Sequence, residues 1–119
     1  MLSLPPSVRI FVAKDPVDGR KSFDGLAAIA RDVLELDPLS GHLFVFFTRR
    51  RNRARILWWD HGGFWLLSRR LEAGQFVLPA TLTAEGARIT MTSAELMLIL
   101  EGIDLRYARR SKRFSLQAS

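Results

Sequence analysis

The stretch LFVFFTRRRNRARILWWDHGGFWLLSRR, residues 43 to 70, decides the fold of this 119-residue chain. It holds three runs of β-branched, aromatic and aliphatic residues, separated by two groups of turn-forming residues. That pattern is typical of consecutive antiparallel strands, and we expect strands at residues 43–48, 54–60 and 64–70. The group His61-Gly62-Gly63 can supply the positive-φ positions of a tight hairpin. The stretch therefore predicts a three-stranded antiparallel meander.

The flanking sequence predicts two helices. Apolar residues recur at i, i+3, i+4 and i+7 from Leu26, which indicates an amphipathic helix over residues 23–36 that Pro38 ends. Thr92 and Glu95 have the spacing of a capping box, which opens a second helix. Further short strands are expected at residues 8–13, 76–78 and 87–91. We therefore predict a small α+β fold, with a β-meander of three to five strands and two helices packed on one face.

Length and composition limit the class of protein. A chain of 119 residues with 48% hydrophobic residues fits one domain, which we place at residues 1–105, followed by a basic arm at 106–119. The sequence contains no apolar run of about 18 residues, and its first residues make a poor signal peptide. Cysteine is absent, so disulfides and cysteine-ligated metal sites are excluded. We expect a cytoplasmic, nucleoid-associated protein that does not bind a membrane.

Positive charge is concentrated in two blocks of the chain. Lys and Arg number 18 against 12 Asp and Glu, which gives a net charge of +6 and a pI near 11.0. Residues 49–71 hold seven cations and one anion, and residues 105–119 hold five cations and no anion. Residues 1–48 and 72–104 instead carry net charges of −1 and −4. A GC-rich genome would spread arginine more evenly, so the clustering favours a surface that binds a polyanion.

Five short segments carry a resemblance to a known family. In their order and spacing they resemble the TnpB-like accessory protein of the insertion sequence 66 transposon family, from about Val8 to Asp104. Two positions depart from the family pattern, because Arg55 stands where a lysine is expected and Leu78 where a tryptophan before the proline is common. The segments are DGRKSFDGL (18–26), DPLSGHLFVF (37–46), LWWD (57–60), RLEAGQF (70–76) and LEGID (100–104).

The resemblance implies a non-catalytic protein that is encoded beside a transposase and assists transposition. In that family, cutting of DNA strands is attributed to the separate, larger transposase. The partners that we expect are DNA, as transposon ends or target, the transposase and another transposon-encoded accessory protein. We expect no cofactor. The RNA-guided nucleases that share the TnpB name are much larger and carry zinc-finger cysteines, so that interpretation is dropped.

The candidate DNA-binding residues are mainly arginines of the two basic blocks. A mobile loop of guanidinium groups can neutralise several phosphates at once, which makes affinity strongly dependent on salt. The alternatives are a solvated basic loop without a partner and, for the arm, a solubilising terminus. The predicted site consists of Arg20, Lys21, Arg49, Arg50, Arg51, Arg53, Arg55, Trp59, Arg69, Arg70, Arg106, Arg109, Arg110, Lys112 and Arg113.

Two local features leave alternatives open. Arg20 and Lys21 precede the first helix, where they either hold a phosphate at its N-terminus or serve a structural role in which Asp18 pairs with Arg20. Trp58 and Trp59 point to opposite faces of a strand. One of them packs in the core, and the other either packs as well, stacks on a base or inserts as a wedge into a groove.

Two other functions compete with DNA binding. In a protein adaptor, residues 43–47 or the exposed tryptophan would dock on the transposase, and the arginines would meet an acidic partner surface. A metal-dependent nuclease would need carboxylates converging around a metal pair. Asp18, Asp24 and Asp60 are the only candidates near the basic region, and each has a local structural explanation. We therefore expect neither a catalytic residue nor a metal site.

Overall fold

The computed structural model describes residues 7–79 and 82–102, which form one sheet covered by a helix on each face. The six strands lie in the order β4-β3-β2-β1-β6-β5. Strands β1 and β2 are parallel and are joined through α1, while every other neighbouring pair is antiparallel. The elements are β1 (Ile10–Ala13), α1 (Phe23–Asp32), β2 (Leu43–Phe47), β3 (Arg53–Asp60), β4 (Gly63–Arg70), β5 (Ala84–Glu85), β6 (Arg88–Met91) and α2 (Ser93–Leu100).

The predicted meander is confirmed as β2, β3 and β4. His61 and Gly62 form the two-residue turn between β3 and β4, with φ values of 47° and 84°, and Asp60 pairs with Gly63 beside it. Both turn positions are left-handed, as the type I′ hairpin requires. The α+β class is also confirmed, with six strands instead of three to five. Residues 76–78 do not form the expected strand.

The two helices pack on opposite faces of the sheet, so the prediction that both lie on one face is wrong. Alternation along β1 directs Phe11 and Ala13 towards α1, and Ile10 and Val12 towards α2. All five residues of β2 are apolar and buried. A strand of this kind needs an apolar cover on both sides, which one helical layer cannot provide. We refer below to the α1 face and the α2 face of the sheet.

The helix ends follow local chemistry. Helix α1 stops earlier than expected, because Glu35 adopts a φ of 58° and the Leu36 N–H donates to the Ala30 carbonyl. The capping box of α2 is confirmed, with the Glu95 N–H donating to Thr92 Oγ1 at 3.1 Å and the Thr92 N–H donating to Glu95 Oε1 at 3.0 Å.

No helix within residues 7–79 and 82–102 is long and apolar enough to cross a membrane. The predicted domain boundary at residue 105 and the basic arm lie outside the described residues.

Candidate nucleic-acid interface

The turn between β2 and β3, residues 48–52, carries three consecutive arginines and is called the basic turn here. Its backbone closes through the Arg51 N–H, which donates to the Thr48 carbonyl at 2.8 Å. Arg51 has a φ of 55°, in the left-handed region. Arg49 and Arg50 are exposed at the tip, and Arg51 is half-buried.

The neighbouring chain holds the basic turn in place from outside. The carbonyls of residues 50, 51 and 52 accept hydrogen bonds from the Gln75 side chain at 3.0 Å, the Phe76 N–H at 2.6 Å and the Leu71 N–H at 2.7 Å. Phe76 is itself buried against Phe47, with ring centroids 5.5 Å apart. The arginine backbones are therefore fixed, which differs from the mobile loop that the sequence led us to expect.

A groove of about 360 Å³ separates the basic turn from the loop between β1 and α1. The loop runs alongside β2, since the Val17 N–H donates to the Phe47 carbonyl at 2.9 Å. A Cβ atom at Gly19 would lie 3.3 Å from Thr48 Cγ2, so glycine permits this close approach. The groove is lined by Val17, Asp18, Gly19, Thr48, Arg49, Arg50, Asn52 and Arg53.

Arg53 and Arg70 lie directly opposite each other on β3 and β4. Like charges in opposed positions destabilise a sheet. Arg70 contacts Glu72 at 3.1 Å, but both side chains are largely exposed, and such surface pairs contribute little. No carboxylate in the described residues forms an ion pair with Arg53 or with the arginines of the basic turn. The arginines of the basic turn and those of the adjoining ends of β3 and β4 are together called the basic end of the sheet: Arg49, Arg50, Arg51, Arg53 and Arg70.

Arg55 has an internal role. Its Nη1 donates to the carbonyls of Gly19 and Lys21, both at 3.0 Å. The side chain thereby ties the β1–α1 loop to the α1 face of β3. Burial, followed by the nearby charge of Arg53, lowers the pKa of Arg55. The structure thus separates Arg55 from the arginines that point to solvent.

Two further predicted residues are also engaged by the protein. Arg69 lies at the same end of β4 as Arg70 but on the α2 face, and its Nε donates to the Leu100 carbonyl at 2.6 Å. A guanidinium at that position stabilises the C-terminus of α2, where the helix dipole is negative. Arg20 pairs with Asp18 at 2.9 Å. The side chain and then the backbone N–H of Arg20 lower the pKa of the Asp18 carboxyl to about 2.

Lys21 is exposed, it is not among the residues that line the groove, and its carbonyl accepts a hydrogen bond from Arg55. The remaining predicted cations, Arg106, Arg109, Arg110, Lys112 and Arg113, lie outside the described residues.

Trp59, which was expected to stack on a base, is not the exposed tryptophan of the structure. Trp59 is half-buried and packs edge-on against Phe64, with ring centroids 4.9 Å apart. Trp58 packs against the core, and its Nε1 donates to the Gly41 carbonyl at 3.0 Å. The exposed ring belongs to Trp65, which is 53% exposed. Sequence analysis missed it, although strict alternation along an edge strand is a signal that could have pointed to it.

The three acidic residues that a metal-dependent nuclease would use, Asp18, Asp24 and Asp60, do not come together at one site. Asp18 lies beside the first residue of β3 and Asp60 is its last, so roughly 20 Å of strand separates them. Asp60 contacts His61 Nδ1 at 2.6 Å, and Asp24 lies in the first turn of α1. Within the described ranges, no group of three or more His, Asp or Glu side chains is arranged to hold a metal ion.

Comparison with known proteins finds one family and two relatives. The family model described as IS66 Orf2-like protein, TnpB_IS66, matches residues 8–110. The uncharacterized protein y4hO of Sinorhizobium fredii is 38% identical over 113 residues, which cover 95% of this chain and 96% of the relative. The uncharacterized protein y4jC of the same organism is 36% identical over 110 residues, covering 92% of each chain. No solved structure matches.

Proposed function

Since the chain belongs to the IS66 Orf2-like family of transposon-associated accessory proteins, we propose that it assists transposition by binding DNA through the basic end of its sheet. The proposed ligand is the DNA of the transposon ends or the target DNA. The role is one of holding DNA within the transposition assembly, and the cutting of strands belongs to a different protein.

One observation carries this proposal. Four arginines, at positions 49, 50, 51 and 53, gather at one end of the sheet without an ion-pairing carboxylate among the described residues. Arg70 joins them across the strand pair, although this opposition of like charges weakens the sheet. This opposition of like charges lowers the stability of the free protein. It becomes favourable once an anion lies between the two charges. Arginine also matches the geometry of phosphate oxygens through its planar fork.

The geometry favours contacts to the DNA backbone. The arginines project from a fixed turn and from one face of two strands, and no described helix presents a row of polar residues for the major groove. Phosphate contacts position a protein without reading sequence. We therefore expect modest preference among DNA sequences and a steep dependence on salt.

The test is a fluorescence anisotropy titration of the full chain with a 25-base-pair duplex between 50 and 300 mM NaCl. Each phosphate contact contributes about −0.9 to the slope of log K against log salt. The double variant Arg49→Ala/Arg50→Ala should weaken binding on every sequence and reduce the steepness of that slope by about 1 to 2.

The matched control is Arg9→Ala, which removes an exposed arginine beside the first residue of β1, at the opposite end of the sheet. It should leave the slope nearly unchanged. Equal losses for Arg9→Ala and for the single variant Arg49→Ala, which each remove one charge, would show attraction by net charge alone and would contradict a defined site. Wild-type affinity that stays flat across the salt range would contradict DNA binding itself.

A protein adaptor for the transposase is the second candidate function. Residues 43–47 cannot provide its docking surface, because β2 is central in the sheet and buried throughout. The exposed apolar side chains Trp65, Met97 and Leu98 favour a different surface. Co-purification of the transposase that survives nuclease treatment and is lost in Trp65→Ser would support this function. Co-purification that disappears with nuclease would contradict it.

A further inference from the structure

The outer edge of β4 is an open strand edge. Of the two edge strands in the described sheet, β5 has two residues and β4 has eight. Strand β4 contains no proline, and it pairs residue for residue with β3 without a bulge. A long, regular edge presents unpaired backbone groups to any other strand of suitable shape.

The hairpin geometry identifies the backbone groups that are free. The pair that closes a two-residue hairpin, here Asp60 and Gly63, exchanges hydrogen bonds, and such pairs then alternate along the ladder. Phe64, Leu66 and Ser68 therefore direct their N–H and C=O groups away from β3. In the described part of the chain no other backbone group bonds to them.

We propose that a second copy of this chain pairs with β4 in antiparallel fashion, about a two-fold axis at Leu66. In this register Leu66 exchanges hydrogen bonds with Leu66 of the second copy. Phe64 does the same with Ser68 of the second copy. All the backbone N–H and C=O groups that point outward from both edges then form hydrogen bonds, apart from those at the strand end.

The side chains of β4 support a second copy as the occupant. Trp65 and Leu67 are 53% and 36% exposed on the α2 face. In the proposed register, Trp65 lies opposite Leu67 of the second copy, and Leu67 lies opposite Trp65 of the second copy. Arg69 then lies opposite Gly63 of the second copy, where no side chain interferes. A parallel arrangement would instead place the arginines at the end of each strand against their own counterparts. The charge pattern of β4 is thus compatible with its antiparallel copy.

The dimer also deepens the proposed function, on which this step rests. A two-fold axis perpendicular to the sheet keeps both α1 faces on the same side. Arg70 and its counterpart are then eight residues apart along the strands, and the two basic ends lie roughly 30 Å from each other. That spacing is comparable with the helical repeat of B-DNA, about 34 Å. One duplex would therefore contact both basic ends.

Sedimentation of the full chain over a concentration series tests the interface, with Ser68→Pro as the variant. The Ser68 N–H points outward, so proline removes a hydrogen bond to the second copy and none to β3. We expect a concentration-dependent dimer for the wild type and a monomer for Ser68→Pro. Circular dichroism should show the same secondary structure for both.

Ser93→Pro is the matched control, because Ser93 is the first residue of α2, a position that proline favours. It should dimerise like the wild type. A monomeric wild type at every concentration, or a folded Ser68→Pro that still dimerises, would overturn the inference.

DNA titrations separate this inference from the proposed function. On a 25-base-pair duplex, loss of the second basic end should weaken Ser68→Pro by on the order of tenfold or more. Equal affinity of a monomeric Ser68→Pro and a dimeric wild type would overturn the two-site contact. A wild type that dimerises without binding DNA would instead overturn the proposed function and leave the β4 interface standing.

Discussion

Arg55 belongs by sequence to the block of predicted DNA-binding arginines, but its contacts are internal. It joins β3 to the β1–α1 loop through the carbonyls of Gly19 and Lys21. We predict that Arg55→Met, which keeps much of the apolar stem, lowers the free energy of unfolding by about 1–3 kcal/mol, because two carbonyls lose their charged donor. Urea denaturation followed by circular dichroism measures this change.

The comparison for Arg55 is Arg49→Met, which removes the same charge from an exposed position of the basic turn. Its free energy of unfolding should stay within about 0.5 kcal/mol of the wild type. Wild-type stability in Arg55→Met, combined with a loss of DNA affinity, would reassign Arg55 to the interface.

At the scale of elements, the two helices begin in different ways. Helix α2 has a complete capping box, whereas Ser22 at the start of α1 makes no side-chain capping bond. We predict that Thr92→Ala lowers the free energy of unfolding by about 1 kcal/mol, since the Glu95 N–H loses its acceptor. Ser22→Ala should have a much smaller effect. Thermal or urea unfolding of both variants checks the contrast, and equal losses would contradict this assignment of the caps.

At the scale of the whole molecule, the basic end makes the free protein sensitive to salt. The net charge is +6, and the arginines of the basic end repel one another in the folded state. We predict that raising NaCl from 20 to 200 mM increases Tm by a few degrees, because salt screens this repulsion. The double variant Arg49→Ala/Arg50→Ala should respond less. Calorimetry measures both, and a Tm that falls with salt would contradict the prediction.

Local patterns in the sequence determined most of the elements. Hydrophobic alternation, the left-handed turn at His61 and Gly62, and the spacing of Thr92 and Glu95 each act over a few residues, so the sequence predicts the meander and the capping box directly. The concentration of arginine in residues 49–71 is likewise a property of the sequence. The resemblance to the insertion sequence 66 family also rests on short segments in a fixed order, and the family match confirms it.

Only the tertiary structure decided which arginines remain available to a partner. Arg53 and Arg55 are two residues apart on the same face of β3, but Arg55 meets the loop before α1 while Arg53 faces Arg70. Arg69 and Arg70 are adjacent, and strand alternation sends them to opposite faces. The placement of one helix on each face was likewise decided by packing, because β2 is apolar on both sides. The hydrogen bonds of Arg55 to the carbonyls of Gly19 and Lys21 join residues that are distant in the chain, and no local sequence pattern encodes them.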